Sequence, residues 1–298
     1  MKKTLFLVYA LFFSLSVAAA PKAAPQTPMS KELADCHADI TNTLGFVPEF
    51  LKLFPEAGLP GAWAEWKNVE MGPTAVPGKY KELMGIAVAA QIPCTYCLYA
   101  HKEFSTLNGA SAAEQSEAIA LSALVRHWSA FANGVQQDWA SFSRDIDTAF
   151  SNMALKGDDA AKLLKKMPTD LSPAQQEVWK TFGLIPLMFK GVPASGLAGA
   201  MKAMQGLMMS NNTAIPVKYK NLIALSVAAQ VPCHYCVYFH KKAAQATGAS
   251  EAEINDAIGM AAVTRQWSTI LNGNQMKFDS WKKEIDRIVV NAKKAPKK

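Results

Sequence analysis

The chain contains an internal repeat that is long enough to dictate its architecture. Residues 80–134 align without a gap with residues 219–273, and 27 of the 55 aligned positions are identical. The similarity continues upstream after one inserted residue, because Gly45-Phe46-Val47-Pro48 matches Gly183-Leu184-Ile185-Pro186. Self-similarity at a fixed period indicates copies of one supersecondary unit. We therefore expect two similar folding units that pack against each other.

The pattern within each unit is helical. Apolar residues over 80–91 recur at three- and four-residue spacings, and Pro93 interrupts the run. A new helix is predicted to begin at Cys94 and to stop near Asn108-Gly109.

The next helix of each unit has clear end signals. Ser111 and Glu114 have the spacing of a capping box, and so do Ser250 and Glu253. An Asn-Gly pair closes both helices, at 133–134 and 272–273. No sustained two-residue alternation of the strand kind occurs, so the sequence predicts an all-α fold.

The most informative motif is a pair of cysteines three residues apart, followed by a histidine. It occurs twice, as Cys94, Cys97 and His101 and as Cys233, Cys236 and His240. Residues three or four apart share a helix face, so the two sulfurs can bridge and the imidazole can serve the second one. At a helix N-terminus, free N–H groups and the helix dipole lower a cysteine pKa from its usual value of about 8.5. Each unit is therefore predicted to carry a reactive dithiol.

Three other roles of these cysteines are less favoured. A structural bridge across so short a loop gains little stability through chain entropy. Zinc-binding CxxC pairs usually lie tens of residues apart, whereas these two pairs are 139 residues apart. Haem attachment needs a histidine directly after the second cysteine, where Leu98 and Val237 stand. The sequence therefore predicts redox-active dithiols with no metal and no cofactor.

The first unit resembles a known family. Glu82, eleven intervening residues, the Cys94-x-x-Cys97 pair, three residues and His101 resemble the active-site signature of the AhpD-like alkylhydroperoxidases, within the carboxymuconolactone decarboxylase superfamily. The Gly-Phe-Val-Pro entry before each unit is also similar to that superfamily. The resemblance covers residues 44–150 and 182–290. It implies a compact all-helical domain that oligomerises through helix faces.

The resemblance also implies a peroxide-reducing dithiol. By this similarity Cys97 would be the peroxidatic thiol and Cys94 the resolving thiol, with His101 and Glu82 as a proton relay. A histidine one turn away can take the thiol proton, and a carboxylate on the preceding helix can orient or recharge it. The decarboxylases of the superfamily lack the CxxC pair as their working group, so lactone decarboxylation is disfavoured.

The second unit departs from this pattern. Cys233, Cys236 and His240 match as candidate catalytic residues, but Asn221 stands where Glu82 does. Asparagine can form hydrogen bonds but cannot accept a proton, so an incomplete relay is expected there. His234, inside that CxxC motif, is a candidate for stabilising a thiolate.

Both units share a second departure from the family. Tyr96 and Tyr235 fill the place before the second cysteine where the alkylhydroperoxidase has another histidine.

Other notable residues have simpler interpretations. Cys36 is the odd thiol, either a residue of the first helix or linker or a third redox partner. Trp128 and Trp267 match across the repeats and could line the pocket, but packing between the halves is the favoured interpretation. The helically spaced Met201, Met204, Met208 and Met209 are expected to fill core or subunit contacts.

The formal net charge of +7 does not predict a nucleic-acid partner. Six of the responsible lysines lie at the ends of the chain, at positions 2, 3, 293, 294, 297 and 298. The remaining body is nearly neutral, whereas a nucleic-acid binder clusters its basic residues on the folded surface.

The first segment is typical of a secretory signal. Lys2 and Lys3 precede an apolar run that ends in small residues, with cleavage expected near Ala19. An uncleaved single N-terminal anchor is the alternative. The mature protein is expected to be periplasmic or secreted, where disulfides are tolerated.

The predicted domain order is a signal peptide over 1–20, a linker or helix over 21–43, repeat 1 over 44–165, repeat 2 over 166–290 and a basic tail over 291–298. The predicted fold is all-α, with two tandem AhpD-like repeats packed into one pseudo-symmetric unit, and a homo-oligomer is expected.

The predicted function is a thiol-dependent peroxidase that reduces a hydroperoxide with electrons from an unidentified dithiol or thioredoxin-like reductant. Two alternatives stay open: an exported thiol-disulfide oxidoreductase acting on protein partners, and a non-enzymatic helical scaffold.

Overall fold

The computed structural model describes residues 30–294, and within that range the chain forms α-helices, short 3₁₀ and π turns and no strand. The all-α prediction is therefore confirmed. None of the described helices is long and apolar enough to cross a bilayer. The predicted signal peptide and the last four residues of the basic tail lie outside the described residues.

The helices of repeat 1 recur in the same order in repeat 2, except that a short helix stands in place of a 3₁₀ turn and the last helix of repeat 1 has no counterpart among the described residues. In repeat 1 the helices are α1 (Lys31–Leu44), α2 (Leu59–Trp66), α3 (Gly78–Gln91), α4 (Thr95–Leu107), α5 (Ala112–Gly134), α6 (Trp139–Met153) and α7 (Gly157–Leu164). In repeat 2 they are α8 (Pro173–Phe182), α9 (Leu187–Lys190), α10 (Ala194–Ala203), α11 (Val217–Gln230), α12 (His234–Ala246), α13 (Glu251–Gly273) and α14 (Phe278–Lys294). A 3₁₀ turn spans Glu49–Leu53, and π turns follow α2 at Lys67–Met71 and α10 at Met204–Met208.

The predicted helix signals are present in the structure. Ser111 and Ser250 each form a complete capping box with the glutamate three residues later, at the starts of α5 and α13. The helix predicted to begin at Cys94 begins one residue later, because Cys94 is its extended N-cap residue. Cys233 caps α12 in the same way.

The two repeats are related by a pseudo-twofold axis that passes between α3 and α11. The rings of Tyr80 and Tyr219, which match in the repeat alignment, stack with centroids 3.5 Å apart. The backbone N–H of Val76 donates to the Asp256 carboxylate at 2.8 Å. The matching N–H of Ile215 donates to Glu117 at 3.0 Å. Reciprocal bonds of this kind are what an isologous interface produces.

The last long helix of each repeat packs on the CxxC helix of the other repeat: α14 lies against α4, and α6 lies against α12. Tyr96 and Tyr235 stabilise this packing between the repeats, because their hydroxyls donate to the carbonyls of Met276 and Gln137, respectively. These two tyrosines therefore join the two repeats. Each CxxC motif consequently lies where both repeats meet.

Candidate active site

The two CxxC motifs occupy the turn between a buried helix and the next one. α3 ends at Gln91, and after a two-residue turn Cys94 caps α4, its Sγ accepting a hydrogen bond from the N–H of Cys97 at 3.2 Å. Cys94 and Cys97 form a disulfide with a Cα–Cα distance of 5.4 Å, and Cys233 and Cys236 form one with 5.3 Å. All four cysteines are buried, with relative exposures from 0 to 6%.

In repeat 1 the structure brings the sequence-predicted Glu82 and His101 together. Nδ1 of His101, on α4, lies 2.8 Å from a carboxylate oxygen of Glu82, on α3. Both side chains are buried, and His101 lines the same cavity as Cys97. The approach depends on Gly85, because a Cβ at that position would lie 2.4 Å from the imidazole ring.

A second carboxylate, which the sequence interpretation missed, completes this cluster. An oxygen of Glu70 lies 3.6 Å from Nδ1 of His101, and Glu70 is buried. It belongs to the π turn after α2, outside the segment where the repeats align without a gap. Its position in that turn depends on Lys81, whose buried ammonium donates to the carbonyls of Val69 and Gly72 on either side.

The electrostatics of the cluster favour a stored proton. Burial raises the pKa of Glu82 to about 8 and that of Glu70 to about 7, while burial lowers the pKa of His101. Near neutral pH a protonated Glu82 therefore donates to Nδ1 of a neutral imidazole, which carries its own proton on Nε2. That nitrogen lies 3.4 Å from Oγ1 of Thr264. Glu70, with its pKa close to neutral, can take up or release a further proton.

The same three side chains have the spacing of a metal site. One ligand atom each from Glu70, Glu82 and His101 lie within 4.8 Å of one another. When no cation is bound, burial favours the protonated form of both carboxylates, and more strongly for Glu82 than for Glu70. The cluster is therefore chemically suited to proton transfer.

Repeat 2 supplies part of the cavity beside Cys97. Thr264 and Trp267 on α13 and Trp281 on α14 line it together with Trp66 of repeat 1. Trp128 likewise lines the cavity beside Cys236. The two matched tryptophans, interpreted from the sequence as packing between the halves, also form the walls of the opposite site. Thr264 gave no sequence signal, since Val125 holds its place in repeat 1.

The matching cavity around His240 has lost the polar partners. Asn221 replaces Glu82, and its amide donates to the carbonyl of Val217 instead of contacting the histidine. Burial lowers the pKa of His240 to about 3, and its Nδ1 has no hydrogen-bond partner among the described residues. Repeat 2 has therefore lost more polar contacts to its histidine than the replacement of Glu82 by Asn221 alone predicted.

Three further differences separate the two sites. Lys220 binds the carbonyls of Leu207 and Ser210, as Lys81 binds those of Val69 and Gly72, so Met208 corresponds to Glu70. Ala224 stands at the place of Gly85 and Val125 at the place of Thr264. Since a Cβ at the Gly85 position would meet the imidazole, His240 cannot take the position that His101 has.

The other sequence candidates lie apart from this chemistry. Cys36 is a free, buried thiol on α1, and burial raises its pKa, which disfavours the thiolate that a redox partner needs. His234 packs its ring against Tyr235 and Trp139 at the start of α12. Met201, Met204 and Met208 are buried in the core as expected.

Comparison with known proteins gives one family. The model of the carboxymuconolactone decarboxylase family matches residues 57–137 and again residues 196–275. These two segments include both CxxC motifs and both histidines. Neither the curated proteins nor the solved structures gave a significant match to the chain.

Proposed function

The chain belongs to the carboxymuconolactone decarboxylase family, and from that membership and the His101 cluster we propose that it is a thiol-dependent peroxidase working at Cys97. The observation that carries the proposal is the buried pair of His101 and Glu82, 2.8 Å apart, beside one cysteine of a CxxC disulfide. The family includes enzymes, and the CxxC pair provides a dithiol as a working group.

In the proposed reaction the reduced Cys97 thiol gives its proton to the Glu70, Glu82 and His101 cluster. The Cys97 thiolate then attacks the terminal oxygen of a hydroperoxide, the O–O bond breaks, and Cys97 becomes a sulfenic acid. The alkoxide that leaves takes a proton from the same cluster and departs as an alcohol. The thiol of Cys94 attacks the sulfenic sulfur and forms the disulfide, with water as the second product.

An external dithiol completes the cycle. It reduces the Cys94–Cys97 disulfide by thiol-disulfide exchange and is itself oxidised to a disulfide. The sum is one hydroperoxide and one dithiol converted to an alcohol, water and a disulfide. Because both sulfurs are buried, with 1% and 4% exposure, a small dithiol fits this role better than a thioredoxin-like protein.

The residues of the cluster have distinct proposed roles. Glu70, whose pKa is about 7, accepts the thiol proton most readily near neutral pH. Glu82 fixes the tautomer of His101 and holds the proton needed by the alkoxide. The proposed activity in repeat 2 is weak, because Cys233, Cys236 and His240 have no carboxylate beside them.

The burial of the sulfurs also bears on the alternative function. A thiol-disulfide oxidoreductase for protein partners must expose its attacking sulfur to another polypeptide. Cys97 instead lines a small cavity whose walls include several aromatic rings, which favours a small hydroperoxide over a protein partner. Export to the periplasm or outside the cell and assembly into a homo-oligomer remain part of the proposal and rest on the sequence alone.

The test is hydroperoxide consumption by the mature chain with dithiothreitol as reductant. We expect Cys97→Ser to abolish turnover and Cys236→Ser to retain most of it, with Cys36→Ser as a matched control that leaves it unchanged. Mass spectrometry after one equivalent of hydroperoxide is expected to show the Cys94–Cys97 bridge. The proposal is wrong if the reduced protein reacts with hydroperoxide no faster than free cysteine, and insulin reduction without peroxide turnover would favour the alternative.

A further inference from the structure

A cavity of about 320 Å³, formed mainly by repeat 2 and closed on one side by α6 of repeat 1, is not used by the proposed peroxidase chemistry. It lies between α6, α11, α12 and the π turn after α10, and mostly apolar side chains line it. This volume is at the lower end of the range of small-molecule pockets, roughly 300–1,000 Å³.

The small side chain of Ala243 on α12 helps to leave this space open. Ala243 lines the cavity, and the matching residue of repeat 1 is Phe104. In repeat 1 the ring of Phe104 is buried in the core. The same helical scaffold therefore accommodates a large buried side chain at this position in one copy and leaves space in the other.

The cavity continues toward the second dithiol. Met204, Met208 and Phe239 line both this cavity and the smaller one that contains Cys236 and His240. Methionine side chains are flexible and adapt readily to a ligand. These shared residues therefore lie between a molecule in the larger cavity and the smaller cavity that contains His240.

Two buried polar atoms at this end of the repeat have no hydrogen-bond partner among the described residues. They are Oδ1 of Asn221, a residue that lines the larger cavity, and Nδ1 of His240, a residue that lines the smaller one. An unpaired buried acceptor costs free energy that a ligand donor would recover. The Asn221 oxygen can only accept, so a ligand group that pairs with it must be a donor.

The charge of the cavity constrains the ligand further. Among its described lining residues only Lys156 carries a charge, and its exposed side chain is at the mouth. Burying an ionised group beside Asn221 would leave that ion unpaired, which is costly. The deep end therefore suits an uncharged head.

From these contacts we propose that repeat 2 binds an uncharged molecule with a medium-length alkyl chain and one hydroxyl or hydroperoxy group. The chain occupies the space beside Ala243 and Ala246, and the hydroxyl or hydroperoxy group donates to Asn221. The proposal goes beyond the peroxidase function and does not depend on it, because binding requires no reaction at a cysteine.

The experiment is calorimetric titration of the mature full chain with 1-octanol as the probe. Wild-type protein is expected to bind it, and Ala243→Phe, which restores the side chain of repeat 1, is expected to weaken binding at least tenfold. Gln245→Phe adds a ring at an exposed position of the same helix and is expected to bind like wild type. Circular dichroism checks folding, and Ala243→Leu is the second cavity-filling variant if Ala243→Phe does not fold.

Two related probes test the head group. Heptyl methyl ether has the length of 1-octanol without a donor and is expected to bind about five- to tenfold more weakly, the effect of one lost hydrogen bond. Octanoate has a charged head group and therefore tests whether the site requires an uncharged one. Octanoate binding as tight as 1-octanol binding would overturn the inference that the head group is uncharged. Absence of 1-octanol binding to wild type, or equal binding to the folded cavity-filling variant, would overturn the site. Since 1-octanol cannot be reduced as a peroxide, neither result depends on peroxidase activity.

Discussion

His101 and His240 occupy matching positions on α4 and α12, yet their surroundings give them different chemistry. His101 has two carboxylates within 3.6 Å of Nδ1 and a hydroxyl near Nε2. His240 has none of these partners among the described residues, and burial lowers its pKa to about 3. At the residue scale, four side-chain differences separate a proton-handling site from an apolar one.

Gly85 permits the contact between His101 and Glu82, so we predict that Gly85→Ala displaces the imidazole. Loss of positioned general acid-base catalysis lowers turnover by about 100-fold or more. Overpacking also destabilises the protein by about 1–3 kcal/mol. Steady-state hydroperoxide consumption and urea unfolding measure the two effects. The matched control is Ala224→Gly in repeat 2, which is expected to leave turnover unchanged; an unaltered rate in Gly85→Ala would contradict the role of the contact.

Glu82 should make stability depend on pH. Its pKa is about 8 in the folded protein and 4.5 without the fold, so between these values only the folded state binds the proton. The contribution of Glu82 to stability is therefore present below pH 4.5 and is lost as the pH rises to about 8.

Glu82→Gln has no such titration. We predict that the unfolding free energy of wild type relative to Glu82→Gln falls by a few kcal/mol between about pH 5 and about pH 9. Denaturant unfolding at both pH values measures it. A difference that stays constant with pH would show that Glu82 is ionised in the folded protein.

The sequence predicted only part of this cluster. The cysteines, His101 and Glu82 are separated by fixed intervals on two helices, and such spacing is visible in a sequence. Glu70 approaches from a third element and Thr264 from the other repeat, so their proximity follows from tertiary packing. Glu70 also has no identical partner in repeat 2, where Met208 replaces it.

At the scale of elements, a buried lysine holds each π turn in place. Lys81 donates to carbonyls on both sides of Glu70, at 2.9 and 2.6 Å. Lys220 does the same for the π turn of repeat 2, with both distances 2.7 Å. The lysine is therefore structural in both repeats, whereas the carboxylate that it positions is present only in repeat 1.

We predict that Lys81→Met lowers stability by about 2–4 kcal/mol, because two buried carbonyls lose their donor. Lys220→Met is the matched variant and should cost at least as much, since Lys220 also pairs with Glu117 at 3.2 Å. Only Lys81→Met is expected to reduce hydroperoxide turnover, through the displacement of Glu70. Equal turnover losses in the two variants would mean that the effect is a general loss of folding.

The helices themselves followed from local signals. Capping boxes, Asn-Gly pairs and the prolines before the CxxC motifs set helix ends through backbone chemistry within a few residues. The π turns were not foreseen, because their wider backbone hydrogen bonds depend on the distant lysine. Local signals also did not predict several helices outside the repeated segment, namely α2, α6, α7, α8, α9, α10 and α14.

At the scale of the whole molecule, each dithiol depends on the repeat that does not contain it. α13 and α14 of repeat 2 form one wall of the Cys97 cavity. α5 and α6 of repeat 1 form one wall of the Cys236 cavity. The sequence predicted packing between the halves but not that the halves exchange these walls.

Thr264 tests this dependence. We predict that Thr264→Val, which installs the residue found at the matching position 125, lowers turnover at Cys97 by roughly 2- to 10-fold, the value of one hydrogen bond to His101. The reciprocal Val125→Thr should leave that turnover unchanged. Peroxide kinetics in a Cys236→Ser background isolate repeat 1. Identical rates for Thr264→Val and its parent would show that repeat 2 does not assist the first site.

The stack of Tyr80 on Tyr219 marks the axis about which the two repeats are arranged. In a homodimer encoded by a single short gene, every substitution would appear on both sides of such an axis at once. Joining the copies in one polypeptide removes that constraint, so one copy can keep its acids while the other mutates freely. Covalent linkage thus allows a symmetric architecture to evolve two unlike sites while both repeats stay packed against each other.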